Sequence, residues 1–196
     1  AAKKSKIFDK LIVSSDSAQI ASVSAKCGAD VPFLRPKHLA LDNSNIVDAL
    51  LHLLGFLKKK QKYKPDIIFL LQPTSPLRDA QDIINSYKHF IDIKAKALVS
   101  VCKTHHQIYH LVNNKLVLIN KNAKSLVNRQ ELPDTYRQDG SMIYIICTDL
   151  LKKTKNLMPF GTAGFVVPKW KAIDIDEEED FKIAEVLYKN RSIFKE

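Results

Sequence analysis

The sequence has few glycines, few cysteines and no long apolar run. Its five glycines stand far apart among 196 residues, so neither a Walker loop nor a Rossmann fingerprint can be drawn. Cys27, Cys102 and Cys147 form neither a CxxC motif nor a disulfide framework, which is typical of a reducing compartment. No apolar run approaches the roughly 18 residues that cross a membrane, and no signal peptide is visible. These absences predict a cytoplasmic protein without a membrane partner.

Positive charge dominates the composition. Lysine and arginine total 31 against 21 acidic residues, giving a net charge of +10. Such a surplus indicates an anionic partner, and nucleotide phosphates, an acidic sugar and nucleic acid all qualify. Part of it is the run Lys58-Lys59-Lys60, for which a solvated helix terminus is the simpler explanation. The lysines are not interleaved with aromatic residues and no RNA or DNA motif is present. We therefore expect no nucleic-acid partner, and a nucleic-acid-binding module is kept as the alternative function.

The chain is organised around the stretch from Asp66 to Arg78. Five consecutive apolar residues, 67–71, show no polar alternation, which predicts a central parallel strand covered on both faces. The strand stops at Gln72-Pro73-Thr74-Ser75-Pro76, where two prolines remove backbone donors and stiffen the loop. Asp79 is placed to cap a helix that runs to about Phe90. Because ligands of open α/β sheets bind beyond the carboxyl ends of the strands, this loop is the predicted substrate site.

Strand and helix patterns alternate along most of the chain. The strands are predicted at 7–14, 67–71, 97–102, 142–146, 164–167 and 172–176, and the helices at 17–27, 46–57, 79–90, 149–155 and 177–189. Apolar residues at three-to-four spacing, such as Ile20 and Val23, predict a buried face on each helix. This alternation is typical of an α/β fold with a doubly wound, mostly parallel sheet. The length favours a single domain over residues 1–196.

Residues 108–119 interrupt that alternation. Two apolar runs flank Asn113-Asn114, and asparagine tolerates the positive φ that a tight turn needs, so we predict a β-hairpin. An antiparallel excursion of this kind suggests an arm that reaches a second subunit.

The segment Ile173-Asp174-Ile175-Asp176 carries two carboxylates two residues apart. On an extended strand they share one face, with Cα atoms about 6.6 Å apart, and such like charges repel each other. A divalent cation would offset the repulsion, and Mg²⁺ typically takes one or two carboxylates together with substrate phosphates. The other interpretation is that Asp176 merely caps the acidic first turn of the next helix. From the residues alone, the two interpretations carry about equal weight.

Two arginines, Arg129 and Arg137, lie in a polar stretch with few apolar neighbours. Guanidinium groups match carboxylates and phosphates bidentately, so the pair could clamp an anionic substrate. Two solvated surface arginines are the equally weighted alternative.

Six short motifs follow one another along essentially the whole chain. They are Val13-Ser14-Ser15-Asp16-Ser17, Phe33-Leu34-Arg35-Pro36, Gln72-Pro73-Thr74-Ser75-Pro76, the stretch from Arg129 to Leu132, Tyr136-Arg137, and Ile173-Asp174-Ile175-Asp176 with Asp180-Phe181. In residues, order and spacing they resemble the acylneuraminate cytidylyltransferases. These enzymes make CMP-sialic acid and its relatives from CTP and a nonulosonic acid. With the resemblance, the magnesium interpretation of the acidic pair is favoured over the cap.

The resemblance implies a Rossmann-like nucleotidyltransferase fold and a homodimer, in which an arm of about residues 104–139 completes the neighbour's site. It implies that Ser75 contacts the cytosine, that Arg129 lies at the carboxylate of the sugar acid, and that a magnesium site forms at the acidic pair. The reaction would be in-line attack of the sugar's anomeric hydroxyl on the α-phosphorus of CTP, expelling pyrophosphate. The predicted catalytic residues are Asp174, Asp176 and Arg129, the metal ligands Asp174 and Asp176, and the substrate-binding residues Gln72, Ser75, Arg78, Gln130, Arg137 and Tyr144.

The sequence departs from the family at its amino end. Members begin with a strand and a glycine- and lysine-rich loop, Ala-Arg-Gly-Gly-Ser-Lys, that binds the triphosphate, and this segment is not in the sequence. We therefore expect residues 1–196 to be an N-terminally truncated cytidylyltransferase domain that would not turn over CTP by itself. A catalytically inactive partner protein of the same fold is the further alternative.

Overall fold

The structure is a computed structural model, and it describes residues 1–104, 108–119, 134–138 and 142–194. The chain forms two compact units, each built from separate stretches. Unit 1 comprises Ala1–Leu71, Arg78–Val99 and Ile143–Ala163, and unit 2 comprises Gln72–Leu77, Ser100–Met142 and Gly164–Glu196. The predicted organisation as one domain stays a prediction.

Six α-helices and three short 3₁₀ turns lie in the described ranges. The α-helices are α1 (Ala2–Ser5), α2 (Ala18–Lys26), α3 (Ile46–Gln61), α4 (Ala80–Asp92), α5 (Thr148–Thr154) and α6 (Glu178–Lys189), and the 3₁₀ turns are Lys37–Leu39, Lys169–Lys171 and Arg191–Phe194. None of these described helices combines the length and the apolar character that crossing a bilayer requires.

Seven strands are described. They are β1 (Ile67–Leu70), β2 (Ala97–Thr104), β3 (Tyr109–Val112), β4 (Lys115–Leu118), β5 (Thr135–Arg137), β6 (Tyr144–Cys147) and β7 (Ala163–Val166). In unit 1, β6 lies between β1 and the start of β2 and is antiparallel to both, with Leu70 and Val99 opposite Tyr144. In unit 2, the second half of β2 pairs with β5 antiparallel and also with β7. The α/β class is confirmed. The mostly parallel sheet is not confirmed, because β1 and β2 run in the same direction but are separated by β6, which is antiparallel to both.

The core of unit 1 is centred on β6. Ile145 and Ile146 are fully buried, as are Leu98 of β2, Ile83 of α4 and Leu151 of α5. Strand β1 instead stands at the end of the strand order and is only half buried along its length. The prediction of a central parallel strand at residues 67–71 is therefore wrong for the described pairings. Continuous apolar sequence indicates contacts on both faces, and it does not indicate the strand's position in the sheet.

Local helix and turn signals predicted several elements well. Ser17, Asn45 and Asp79 are the N-caps of α2, α3 and α4, and each side chain accepts a backbone N–H. The hairpin is present as predicted, with Asn113 and Asn114 at φ 49° and 60°.

Two predicted strands are absent from the described residues. The stretch 7–14 makes only a single parallel bridge, from Ile12 to Asp30, although Phe8 packs edge-on against Phe69 of β1 with ring centroids 5.0 Å apart. Residues 172–176 are irregular rather than extended in a sheet. The predicted inner face of α2 is also wrong, because Ile20 and Val23 are 53% and 56% exposed.

Candidate functional site

The loop Gln72–Leu77 and the acidic segment 172–176 lie together in unit 2. The backbone N–H of Ile175 donates to the carbonyl oxygen of Thr74, with an N···O distance of 2.9 Å. Ile175 stands between Asp174 and Asp176, so this bond brings the backbone that carries both residues against the proline loop. Ser75, one residue further along the loop, is 1% exposed. The structure thus brings two stretches that are about a hundred residues apart in sequence into one place.

The turn that follows the acidic pair is held by Asp180. Its Oδ2 atom accepts the backbone N–H of Asp176 at 3.1 Å and that of Glu177 at 2.9 Å. Helix α6 accordingly has Glu177 as its N-cap, in a reciprocal capping box with Asp180. The interpretation of Asp176 as the cap is therefore wrong. Its exposed carboxylate is left for another role.

The two acidic side chains differ in their surroundings. Asp176 is exposed, whereas the Oδ1 atom of Asp174 is shielded from solvent and has no hydrogen-bond partner among the described residues. A buried carboxylate oxygen without a donor is costly unless a cation or a donor reaches it. No cluster of three or more His, Cys, Asp or Glu residues suited to a metal occurs in the described ranges. The unpaired Asp174 oxygen is of the kind that Mg²⁺ takes, since Mg²⁺ binds through one or two carboxylates with phosphates and waters as the remaining ligands, and the magnesium site stays a prediction.

Arg78 follows the loop and belongs to unit 1. Burial lowers the pKa of its guanidinium to about 10, and the neighbouring Asp82 carboxylate partly opposes that shift. Asp82 in turn accepts the backbone N–H of Asp79 through Oδ2 at 2.9 Å, while Oδ1 of Asp79 accepts the N–H groups of Gln81 and Asp82 at 2.8 and 3.0 Å. The start of α4 therefore fixes a carboxylate beside a largely desolvated cation. Such a cation favours an anionic ligand, which would offset its desolvation.

The remaining predicted site residues are distributed as follows. Gln72 and Arg137 belong to unit 2, where Arg137 is an exposed residue of β5 opposite Cys102. Tyr144 belongs to unit 1, is 8% exposed and stands opposite Leu70. Arg129 and Gln130 lie outside the described residues. The roles proposed for all of these side chains stay predictions.

Arg35 is a structural residue that the sequence reasoning missed. Its Nε donates to Ser14 Oγ at 3.1 Å, its Nη2 donates to the Ser14 carbonyl oxygen, and its backbone N–H donates to the Ser15 carbonyl oxygen at 2.8 Å. Ser15 Oγ also accepts the N–H of Ser17, the cap of α2, at 3.2 Å. Arg35 thereby ties together two of the motifs quoted above. The signal was available in the sequence, since a half-buried arginine needs several acceptors and serine-rich turns supply them.

A cavity of about 320 Å³ lies elsewhere in unit 1, at the carboxyl end of α3. Its lining residues are Leu51, Leu54, Gly55, Lys58, Tyr63, Lys64, Pro65 and Lys152. None of the predicted site residues is among them. We place the candidate site at the loop and the acidic pair, where the unpaired buried oxygen and the two carboxylates lie, rather than at this cavity.

The architecture and the site describe an α/β protein with a carboxylate pair beside a loop that follows a strand. The sequence profile described as Cytidylyltransferase matches residues 1–193, and the chain belongs to this family. Pseudaminic acid cytidylyltransferase of Campylobacter jejuni subsp. jejuni serotype O:23/36 is 28% identical to it, over 96% of this chain and 82% of that protein. CMP-N,N'-diacetyllegionaminic acid synthase of Campylobacter jejuni subsp. jejuni serotype O:2 is 31% identical, over 95% and 80% respectively.

A solved structure gives the same fold. The structure of CMP:2-keto-3-deoxy-manno-octonic acid synthetase complexed with CTP matches with a TM-score of 0.63 at 14% identity, covering 96% of this chain and 86% of that one. At this identity the likeness concerns the fold. Together with the profile and the two relatives, it confirms the resemblance that the short motifs carried.

Proposed function

We propose that this protein is a cytidylyltransferase that transfers the CMP group of CTP to a nonulosonic, sialic-type sugar acid and releases pyrophosphate. Membership of the family supports the reaction type, and the names of the two relatives support the class of acceptor. The observation that carries the proposal is the Ile175 to Thr74 hydrogen bond of 2.9 Å. It joins the acidic pair to the proline loop, so one site can hold both the phosphates and the nucleoside.

Each predicted residue has a chemical task in this reaction. Gln72 and Ser75 would bind the nucleoside through hydrogen bonds, with Ser75 at the cytosine. Arg129 would bind the sugar's carboxylate, while Gln130, Arg137 and Tyr144 would complete the sugar and phosphate contacts. Arg78 would stabilise negative charge near the loop. Holding the anomeric hydroxyl in line with the α-phosphorus and the departing pyrophosphate is the main catalytic contribution of these contacts.

Asp174 and Asp176 would hold Mg²⁺ as the cofactor. When bound, the ion neutralises charge on the phosphate oxygens. The side chains' own contribution is to fix where that charge is neutralised, because the Thr74 carbonyl oxygen holds the backbone between the two residues and the Asp180 carboxylate holds it at Asp176 and Glu177.

The hairpin supports a homodimer as part of the proposal. Every residue of β3 is exposed, and Leu111 and Leu116 are 69% and 68% exposed. A two-stranded ribbon with apolar side chains in water is marginal by itself, and contiguous exposed apolar residues typically mark an interaction site. We propose that this arm packs on a second copy of the chain. The free state of Cys27, Cys102 and Cys147 supports a cytoplasmic location.

The test is pyrophosphate release by the protein in its natural full length, with CTP, Mg²⁺ and a panel that contains a sialic, a pseudaminic and a legionaminic acid. We expect release with at least one acid, and a loss of about a hundredfold or more in Asp176→Asn. Glu179→Gln, which removes another exposed acid from the first turn of α6, is the matched control and should keep full activity. No release with any acid, or equal activity in Asp176→Asn, would contradict the proposal. If oligonucleotides raise the melting temperature and CTP does not, the nucleic-acid alternative is favoured instead.

A further inference from the structure

Two shielded side-chain oxygens without a partner lie on the segments that form the candidate site. They are Oδ1 of Asp174 and Oγ1 of Thr74, and neither has a hydrogen-bond partner among the described residues. The large majority of buried side-chain hydroxyl and carboxylate oxygens are hydrogen-bonded, so each buried oxygen without a partner calls for an explanation. Asp174 already has one, as a ligand of the proposed cation. For Thr74 the proposed function supplies none.

A backbone hydrogen bond joins Thr74 to the acidic segment. The Thr74 carbonyl oxygen accepts the N–H of Ile175, the residue directly after Asp174. The carbonyl oxygen of Thr74 thus accepts a backbone hydrogen bond, whereas its side-chain hydroxyl has no hydrogen-bond partner among the described residues. Pro73 and Pro76 restrict the backbone of the loop around Thr74, and the Oγ1 atom is shielded from solvent.

The hydroxyl does not bond to the carboxylate itself. A threonine can donate to an ionised aspartate, yet neither Thr74 Oγ1 nor Asp174 Oδ1 has the other as a partner. A group that offers a positive charge to the carboxylate and a hydrogen-bond donor to the hydroxyl satisfies both atoms at once. Hydrated Mg²⁺ has this chemistry, because it keeps several of its waters when proteins bind it.

We propose that Thr74 is a positioning residue of the magnesium site, whose hydroxyl accepts a hydrogen bond from a water bound to the cation that Asp174 holds. This inference rests on the proposed function, since it concerns the same cation. It adds a residue outside the carboxylate pair and gives the third position of the proline loop a task. Groups that orient a metal's ligands or waters typically change metal affinity by about 10- to 100-fold when they are removed.

The experiment compares four variants with the full-length wild type by their affinity for free Mn²⁺, measured by electron paramagnetic resonance, with Mg²⁺ as competitor. Thr74→Val keeps the shape and removes the hydroxyl, and Thr74→Ser keeps the hydroxyl. Thr148→Val is the matched control, because Thr148 Oγ1 is also buried without a partner among the described residues but belongs to unit 1. Thermal unfolding with and without Mg²⁺ is recorded for each.

We expect Thr74→Val to raise the dissociation constants for both ions about tenfold, Thr74→Ser to stay within about twofold of wild type, and Thr148→Val to leave them unchanged. Without added cation, Thr74→Val should unfold at the same temperature as wild type or higher, because it removes an unsatisfied buried hydroxyl. With Mg²⁺ its stabilisation should be smaller. A purely structural hydroxyl would instead lower the unfolding temperature equally in both conditions, and that result would overturn the inference.

Asp174→Asn separates this inference from the proposed function. If wild type binds the cation, Asp174→Asn loses it and Thr74→Val binds as wild type does, the role of Thr74 is refuted while the carboxylate site stands. If wild type binds neither Mn²⁺ nor Mg²⁺, or if Asp174→Asn binds as well as wild type, the magnesium site and this inference both fall.

Discussion

The helix that follows the candidate loop depends on its amino-terminal cap, and this dependence can be measured. In Asp79→Ala, the N–H groups of Gln81 and Asp82 lose the acceptor that now lies at 2.8 and 3.0 Å. The reciprocal bond from the Asp79 N–H to Asp82 Oδ2, 2.9 Å long, loses the side chain that fixes its geometry. Helix α4 supplies Ile83 and Phe90, which are 0% and 2% exposed, to the core of unit 1. Fraying at this cap therefore reaches the core.

The expected cost follows from the contacts that are lost. Replacing an aspartate N-cap by alanine costs about 1 kcal/mol, and removing a negative charge from the amino end of the helix dipole adds about 0.5 kcal/mol. The free energy of unfolding should fall by about 1.5 kcal/mol in total. In a protein of this size that corresponds to a melting temperature lower by about 3–6 °C.

Urea denaturation followed by far-ultraviolet circular dichroism measures the difference. Asp79→Asn keeps the accepting oxygen and should lose only about 0.5 kcal/mol. Asp92→Ala is the matched control, because Asp92 is the last residue of the same helix. An acid at the carboxyl end opposes the dipole, so this change should be neutral or slightly stabilising. If Asp79→Ala costs no more than Asp92→Ala, the cap does not hold the helix and the reasoning is refuted.

Two further predictions concern the loop and the hairpin. Burial lowers the pKa of Arg78 to about 10, and it would lower the pKa of a lysine at this place below the usual lysine value as well. CTP binding by Arg78→Lys, measured by calorimetry, should therefore weaken at a lower pH than CTP binding by wild type, and a variant with the wild-type pH dependence would contradict the role of burial. Replacing Leu111 and Leu116 by lysine should shift the protein from dimer to monomer in light scattering, and the melting temperature should fall and lose its dependence on protein concentration, because dimerisation stabilises the folded chain by mass action. A wild type that is already monomeric would contradict the proposed arm.

Local chemistry explains why some elements could be predicted from the sequence. The turn of the hairpin needs two residues with positive φ, and Asn113-Asn114 meets that need with φ values of 49° and 60°. The cap of α4 likewise depends on Asp79 and on Asp82 three residues later. Such signals lie within a few residues of the feature that they specify, so no knowledge of the tertiary fold is required.

Features set by distant parts of the chain could not be predicted in the same way. An apolar stripe on α2 predicts a helix with one apolar face, but it does not state what covers that face, and Ile20 and Val23 are exposed in the structure. The place of β1 in the sheet depends on β6, which follows more than seventy residues later. The pairing partner of Arg35 is 21 residues away. In each case the deciding contact is long-range, and periodicity carries no information about it.

The candidate site combines a local signal that the sequence contains with a geometry that it does not specify. The spacing of Asp174 and Asp176 drew attention to a segment that the structure does bring to the proline loop, while the magnesium site expected there stays a prediction. The geometry that was expected for them, one face of a regular strand, is wrong. In a regular strand, the N–H of Ile175 would donate to a carbonyl oxygen of a neighbouring strand. In the structure it donates to the carbonyl oxygen of Thr74 in the proline loop.

That difference matters for function. A strand inside a sheet has its backbone groups paired on both sides and its side chains packed between neighbours, which would leave little room for a ligand at the carboxylates. Here the backbone around the pair is held by one bond to Thr74 and by the Asp180 carboxylate. The anchoring groups lie on either side of Asp176, and its own carboxylate takes part in neither. The segment is thereby fixed without using the Asp176 carboxylate, which leaves that carboxylate available for the proposed cation.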